Sequence, residues 1–196
     1  MVNLRKVLIT SNGPESNPEL DNISSFLFKN SKKILLIPGF SERSDIIVDK
    51  IKEKYPKSIV FDLNKDNSYY NDIDGLIFCG GYPDKILINL KSKGFDKILG
   101  KITVPVMASS AGSLVIGEKC IITPDEDYPD LLVLQGLKLV PFSVEVHYES
   151  SNEKYLKNLD KNIYGIYDGS GIFWDGEIKL IGRVKHLNDF NNRQNN

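Results

Sequence analysis

The sequence predicts an α/β fold with a mostly parallel central sheet. Short apolar runs alternate along the chain with polar segments of helix-compatible composition. The runs of the first half do not alternate apolar and polar residues, which is typical of strands that are buried on both faces. Strands that alternate with helices pair in parallel, because each helix returns the chain to the same end of the sheet.

Five strands are predicted in the first half. In chain order they are "KVLIT" (6–10), "KKILLIPG" (32–39), "SIVFDL" (58–63), "DGLIFCGG" (74–81) and "VPVMASS" (104–110). Two of them end in residues of unusual chemistry, Gly80-Gly81 and Ser109-Ser110. Because ligands of open α/β sheets bind beyond the carboxyl ends of the strands, we expect the functional site there.

Two helices are predicted between these strands. A stripe of apolar residues at helical spacing marks the first, at Ile46, Ile47, Ile51 and Tyr55. This helix is expected to begin near Ser41 or Ser44 and to end before Pro56. The second is expected to extend from Asp84 to a stop at Gly94.

The second half has a different pattern. "CIITPDED" and "LKLVPFSVEVHY" are expected to be extended, and "SNEKYLKNL" to form a short helix capped by Ser151 or Asn152. "WDGE" places an Asp-Gly pair between two strand-like runs and predicts a C-terminal β-hairpin. No linker divides the chain, so residues 1–190 are expected to form one domain and the polar residues 191–196 a frayed tail.

Composition argues against several classes of function. The 196 residues carry a formal net charge of -1 and no basic cluster, so neither nucleic acid nor a membrane is an expected partner. With two cysteines, two histidines and no CxxC or HExxH, we expect no metal and no cofactor. No apolar run has the length of a membrane span, and the N-terminus does not resemble a leader. A cytoplasmic protein is expected, either a monomer or a homodimer.

The segment "ASSAG", Ala108 to Gly112, is the candidate for catalysis. A nucleophile elbow of the form G-x-S-x-G places its serine at a sharp turn between a strand and a helix. Here Ala108 replaces the first glycine and Ser110 takes the nucleophile position. On its own the pentapeptide is better explained by a tight corner in which Ser109 and Ser110 only cap the following helix.

A serine nucleophile needs a base, and the base needs an acid to orient it. His147 ends an extended apolar run, where this fold would place a base, whereas His186 is expected to be a surface residue. The candidate acids are Glu145, Glu149, Asp168 and Asp175. Asp168 is favoured because it lies in a loop before Gly-Ser-Gly, while Asp175 is better explained by the hairpin turn. Cys79 is expected to be a buried core thiol.

Four motifs in this order resemble the serine peptidase family S51, which includes peptidase E (α-aspartyl dipeptidase) and cyanophycinase. The motifs are "FCGGYPDKIL", "ASSAG", "GLKLVPFSVEVHY" and "GIYDGSG". The interval of 37 residues from Ser110 to His147 is also similar to that of the family. The resemblance implies a class I glutamine amidotransferase-like fold, with three layers and helices on both faces of the mostly parallel central sheet.

The resemblance also implies a serine-type hydrolase of small peptides that uses no cofactor. Ser110 would be the nucleophile, His147 the base and Asp168 the orienting acid. The backbone N–H groups of Gly81 and Ala111 would form the oxyanion hole. Three further residues would contact the peptide substrate, namely Gly80, Tyr82 and Asp125.

The sequence departs from the family pattern at Ala108 and at Tyr82-Pro83, where Asn-Thr often follows the glycine pair. The segment "YESSNEKYLKNLD" contains no arginine, so we do not predict a preference for an N-terminal aspartate. These departures motivate an alternative, a catalytically inactive protein that binds a ligand or a partner. That alternative predicts a cleft closed by Tyr82 or Tyr148, or a His147 ring turned away from Ser110.

Overall fold

The computed structural model describes residues 5–187 except 63, 65, 158, 160 and 161. The expected tail, residues 191–196, lies outside the described residues. The expectation of one domain over residues 1–190 stays a prediction.

A seven-stranded sheet forms the centre, with the strand order β11–β10–β1–β5–β4–β2–β3. Five strands pair in parallel: β1 (Val7–Thr10), β2 (Ile34–Ile37), β3 (Ser58–Val60), β4 (Gly75–Phe78) and β5 (Val106–Ser109). They are the five strands that the apolar runs predict. Two antiparallel strands, β10 (Gly171–Trp174) and β11 (Ile178–Ile181), extend the sheet beside β1.

Helices cover both faces of this sheet, which confirms the three-layer arrangement. One face packs against α1 (Pro18–Phe28) and α2 (Ser44–Lys54), and the other against α3 (Pro83–Ser92), α4 (Phe95–Leu99) and α5 (Ala111–Ile116). Successive residues of one strand serve opposite faces, because side chains alternate across a strand. In β1, Leu8 belongs to the first core, and Val7 and Ile9 belong to the second.

The helix α2 begins at Ser44, one of the two predicted starts, and the Ser44 hydroxyl accepts a hydrogen bond from the Ser41 amide over 2.7 Å. Its predicted apolar stripe is partly wrong. Ile46 is 61% exposed, and Val48 is the buried residue of this helix. Only the packing of the helix on the sheet decides which neighbouring positions of an isoleucine-rich turn face inward.

The helix α1 was not among the predicted elements. Asn17 caps it by accepting a hydrogen bond from the Glu19 amide over 2.9 Å, and Pro18 occupies its first position. Both are preferred residues at a helix start, so "NPE" is the sequence signal that could have predicted it.

The second half forms two smaller sheets. The strands β6 (Lys119–Ile122) and β7 (Leu132–Gln135) pair antiparallel, and β8 (Ser143–Val146) pairs in parallel with β9 (Ile163–Ile166). The last strand, β12 (Val184–His186), pairs antiparallel with β9. A short helix, α6 (Glu153–Leu156), follows a 3-10 turn (Ser150–Asn152). Among these elements, β7 and β12 were not predicted.

The Asp-Gly pair at residues 175–176 joins β10 to β11, which confirms the predicted hairpin. Gly176 has a φ of 112°, a conformation that glycine adopts without strain. Across the described part of the chain, no helix is both long and apolar enough to cross a membrane.

Candidate active site

The carboxyl ends of four strands meet at one edge of the molecule. Ser110 follows β5, and Gly80 and Gly81 follow the neighbouring strand β4. His147 follows β8, and Asp168 follows the parallel strand β9 after one intervening residue. The topology therefore brings together five of the residues that the sequence predicts as site residues, in the place expected for an open α/β sheet.

Ser110 occupies a sharp turn between β5 and α5. Its φ of 52° is rare for a residue other than glycine, and its amide donates to Thr10 O over 3.1 Å. The helix α5 starts at the next residue and packs closely on β4, since a Cβ at Gly112 would lie 2.6 Å from Phe78 O. Ala108 is fully buried within β5 and is accommodated in the sheet. The geometry is that of a nucleophile elbow.

The two adjacent serines have different environments. The Ser109 hydroxyl accepts a hydrogen bond from Thr10 Oγ1 over 2.9 Å. The Ser110 hydroxyl lies 3.1 Å from His147 Nε2 and makes no capping hydrogen bond to α5. Neither serine therefore acts as a side-chain cap, and only Ser110 contacts the candidate base.

Three predicted residues form a continuous hydrogen-bonded chain. His147 Nε2 faces Ser110, and His147 Nδ1 lies 2.6 Å from Asp168 Oδ1. Desolvation alone would raise the pKa of Asp168, but hydrogen bonds from His147 and Ser11 outweigh it and lower the pKa below the ordinary value of 3.8. Asp168 is therefore ionised at neutral pH and can hold the imidazole in one tautomer.

Sequence reasoning missed Ser11, which is fully buried at the end of β1. Its hydroxyl donates to Asp168 Oδ1 over 3.0 Å and accepts from the His147 amide over 2.7 Å. The neighbouring Asn12 accepts from the Gly169 amide over 2.9 Å. The available signal was "TSNG", a polar turn that follows a buried strand at the same edge as the other site residues.

The glycine pair after β4 is in backbone contact with the loop after β2. Tyr82 donates its amide to Gly39 O over 2.8 Å, and a Cβ at Gly81 would lie 2.5 Å from that same oxygen. Gly81 also has a φ of 149°. Within the described residues, the amides of Gly81 and Ala111 donate no hydrogen bond and both residues border one cavity beside Ser110. These N–H groups are free to bind an oxyanion.

Two cavities flank the Ser110 hydroxyl, and both include Gly81 and His147 in their walls. The larger has a volume of about 820 Å³ and also includes Gly80. The smaller has a volume of about 330 Å³ and also includes Asp125. A substrate bound across Ser110 would therefore extend into both.

The model of Peptidase family S51 matches residues 7–181. The chain belongs to this family. Membership of S51 makes it a serine peptidase, as the motifs predict. None of the curated proteins matches it.

Two solved structures share the fold of this S51 peptidase. A candidate peptidase E protein from Listeria monocytogenes EGD-e is 21% identical, with a TM-score of 0.67 over 93% of this chain and 98% of that one. A peptidase from an acI-B1 Actinobacterium is 16% identical, with a TM-score of 0.65 over 94% of this chain and 91% of that one.

The remaining predicted substrate contacts differ in their placement. Asp125 borders the smaller cavity, and its Oδ1 accepts from the amides of Asp127 and Tyr128, both over 2.8 Å. The ring of Tyr82 borders neither cavity. The centroids of the Tyr82 and Tyr128 rings are 6.4 Å apart in an edge-on arrangement, and Lys85 Nζ lies 4.0 Å from the Tyr82 centroid.

The structural expectations of the inactive alternative are not met. The His147 ring faces Ser110, and Tyr148 is buried with its hydroxyl donating to Glu153 over 2.5 Å. Neither Tyr82 nor Tyr148 closes the cleft of this peptidase.

Cys79 is only 1% exposed, as expected of a core thiol, and burial raises its pKa to about 12. It is therefore protonated and unsuited to nucleophilic attack. His186 was expected on the surface, and this expectation is wrong. Its ring is half-buried and stacks on Tyr164 at 4.5 Å, because β12 pairs with β9.

Glu145 was considered as the acid and does not contact His147. It is 3% exposed in β8, where Thr123 and Asn152 donate to its Oε1 over 2.5 and 3.0 Å. Burial raises its pKa to about 7, although both hydrogen bonds oppose this shift. Within the described residues, no group of three or more His, Cys, Asp or Glu side chains is placed to hold a metal ion.

Proposed function

We propose that this S51 peptidase hydrolyses small peptides through an acyl-enzyme, with Ser110 as nucleophile, His147 as base and Asp168 as orienting acid. The observation that carries the proposal is the hydrogen-bonded chain from Ser110 Oγ through the His147 ring to Asp168 Oδ1. A nucleophile, a base and an orienting group in this order are the requirements for serine catalysis.

In the first half-reaction, Ser110 Oγ attacks the peptide carbonyl carbon while His147 Nε2 accepts the hydroxyl proton. The negative charge that develops on the carbonyl oxygen is stabilised by the amides of Gly81 and Ala111. Cleavage of the C–N bond then follows, and His147 returns the proton to the leaving amine. Ser110 remains as an ester of the acyl portion.

In the second half-reaction, water attacks the ester carbonyl and His147 accepts a proton from it. The same two amides stabilise the second oxyanion. Breakdown returns the proton to Ser110 Oγ and releases the carboxylic acid product. Asp168 stays ionised throughout and stabilises the imidazolium form of His147.

The size of the cavities supports small peptides as substrates. The volumes of about 820 and 330 Å³ are in the range that accommodates small ligands. The smaller one lies at the lower end of this range. We therefore infer that peptides of a few residues are hydrolysed.

A fluorophosphonate probe tests the nucleophile directly. We expect wild-type protein to be labelled, and labelling to be lost in Ser110→Ala and His147→Ala. Ser109→Ala is the matched control, since Ser109 contacts Thr10 instead of His147, and it should still be labelled. A panel of dipeptides and tripeptides, read by mass spectrometry, then tests turnover.

The proposal is wrong if folded wild-type protein is never labelled while a reference serine hydrolase is labelled under the same conditions. Peptide turnover that survives Ser110→Ala would also contradict it. Binding of peptides without turnover would favour the inactive alternative.

A further inference from the structure

We propose that the smaller cavity receives a cationic group of the substrate, an ammonium or a guanidinium, and that Glu145 determines this specificity. This inference rests on the proposed peptide hydrolysis and names the class of substrate for the same site.

The charge of the smaller cavity is the first observation. Its wall includes four acidic residues and, among the described residues, neither lysine nor arginine; the acids are Asp125, Asp127, Glu145 and Glu149. The larger cavity beside Ser110 has a mixed wall, with Arg43, Lys50 and Lys54 together with Glu15 and Asp21. The smaller cavity is therefore the more acidic of the two, and a positive group of the substrate is favoured there.

The unsatisfied oxygen of Glu145 is the second observation. Both of its hydrogen bonds, from Thr123 and Asn152, reach Oε1. Among the described residues, Oε2 has no hydrogen-bond partner. It is not fully buried and keeps some contact with solvent. Glu145 is only 3% exposed, but because solvent reaches Oε2, a donor of the substrate can take the place of water at this oxygen.

The position of Glu145 on β8 directs it to the substrate. Glu145 lies in β8, and His147 follows the end of this strand with a φ of 51°, so the two residues are close neighbours in the chain. Both residues border the smaller cavity together with Ser110. A group that reaches Glu145 Oε2 therefore belongs to the substrate residue beside the attacked bond.

A cation is favoured over a neutral donor at this position. Oε1 already accepts two hydrogen bonds, which favour the ionised carboxylate, whereas burial raises its pKa to about 7, and a bound cation would favour the ionised form further. The other three carboxylates of the cavity add negative potential. A charge-assisted hydrogen bond from an ammonium or guanidinium offsets both the unpaired oxygen and this potential.

The cationic group could be a lysine or arginine side chain or the free α-amino group of the peptide, and the test separates these sources. We would measure kcat/KM for matched fluorogenic peptides that carry lysine, arginine, norleucine or glutamate in the residue before the cleaved bond. Each peptide would be tested with a free and with an acetylated N-terminus. A peptide that carries the recognised cationic group should have a kcat/KM at least about tenfold above that of the matched peptide without it. The peptide with glutamate should have the lowest kcat/KM.

Glu145→Gln should remove most of this preference, so that kcat/KM falls far more for the cationic peptides than for the acetylated norleucine peptide. Glutamine can still accept from Thr123 and Asn152, so we expect the variant to fold. Glu126→Gln is the matched control, because Glu126 is exposed near the same loop and does not border the cavity. A preference for lysine over norleucine that persists after acetylation assigns the cavity to the side chain, whereas an equal loss of kcat/KM on acetylation of every peptide assigns it to the α-amino group.

A second measurement uses only wild-type protein. Butylammonium should inhibit hydrolysis of the acetylated norleucine peptide competitively, and butanol at equal concentration should not. Equal hydrolysis of lysine and norleucine peptides with no effect of acetylation, or an unchanged preference in Glu145→Gln, would overturn this inference and leave the proposed function intact. Absence of all turnover and of fluorophosphonate labelling would instead refute the proposed function.

Discussion

Ser11 donates a hydrogen bond to Asp168 over 3.0 Å although the two residues are 157 positions apart in the chain. The same hydroxyl accepts the amide of His147 over 2.7 Å, so it joins the acid loop to the backbone of the base. Ser11 is fully buried and does not touch Ser110, which makes it a positioning residue for the predicted triad.

Ser11→Ala should lower kcat by about 10- to 100-fold with little change in KM, because the acid and the base lose a shared hydrogen-bond partner. The rate of fluorophosphonate labelling should fall in parallel. Ser92→Ala is the matched control, since Ser92 lies exposed at the end of α3 and should behave as wild type. An unchanged kcat in a correctly folded Ser11→Ala protein would show that the contact does not position the site.

Asp168→Asn should keep the fold and lower kcat by roughly 10³- to 10⁴-fold, because an amide cannot stabilise the imidazolium and favours the wrong tautomer. The measurement is kcat, together with a thermal unfolding curve that establishes folding. Asp175→Asn is the comparison, since Asp175 lies in the β10–β11 turn and should leave kcat unchanged. Equal losses in the two variants would argue against Asp168 as the orienting acid.

Gly81→Ala should reduce both stability and fluorophosphonate labelling. A Cβ there would lie 2.5 Å from Gly39 O, and the φ of 149° disfavours any residue with a side chain. We expect a loss of more than about 1 kcal/mol in the free energy of unfolding, measured by urea denaturation. Gly100→Ala meets no atom within 4 Å and should not destabilise the protein, which makes it the control. A fully stable and reactive Gly81→Ala would contradict the tight backbone contact.

Glu145 should make the stability depend on pH between about 4.5 and 7. Its pKa in the folded state is raised to about 7, above the ordinary value of 4.5, so in this window the folded protein holds a proton that the unfolded chain has released. The free energy of unfolding therefore falls as pH rises through the window. Glu145→Gln should remove this fall and be more stable than wild type at pH 8, by on the order of 2 kcal/mol.

The two proteins should differ little near pH 4.5, where the wild-type carboxyl is protonated in the folded state. Urea denaturation of wild type, Glu145→Gln and Glu126→Gln at pH 5, 6.5 and 8 measures the effect. Parallel pH curves for wild type and Glu145→Gln would contradict the raised pKa.

Neither thiol of the folded protein should react with Ellman's reagent at pH 8. Cys79 and Cys120 are both buried, and burial is the main cause that raises the pKa of each to about 12. Both thiols should react after denaturation in guanidinium chloride. Rapid reaction of Cys79 in the native state would make this thiol a candidate reactive residue of the site.

The sequence by itself determined the class of fold and the local geometry at the nucleophile. Strands buried on both faces must be apolar along nearly their whole length, so β1, β2, β4 and β5 are visible as uninterrupted runs, whereas β3 is a half-buried edge strand. A sharp turn between a strand and a helix needs small residues at consecutive positions. This made "ASSAG" recognisable although Ala108 replaces the first glycine of the motif. Elements with weaker local signals were missed, namely α1, which begins at "NPE", the short helix α4, the exposed strand β7 and the short strand β12.

Only the tertiary structure decided which distant groups meet. Nothing in "TSNG" indicates that the Ser11 hydroxyl bridges His147 and Asp168, since that contact depends on how β1, β8 and β9 converge. Likewise, the register of α2 on the sheet buried Val48 and left Ile46 exposed, and the pairing of β12 with β9 stacked His186 on Tyr164. Local sequence encodes backbone preferences and burial patterns, whereas hydrogen bonds between residues over 100 positions apart arise only when the packed elements bring them within about 3 Å.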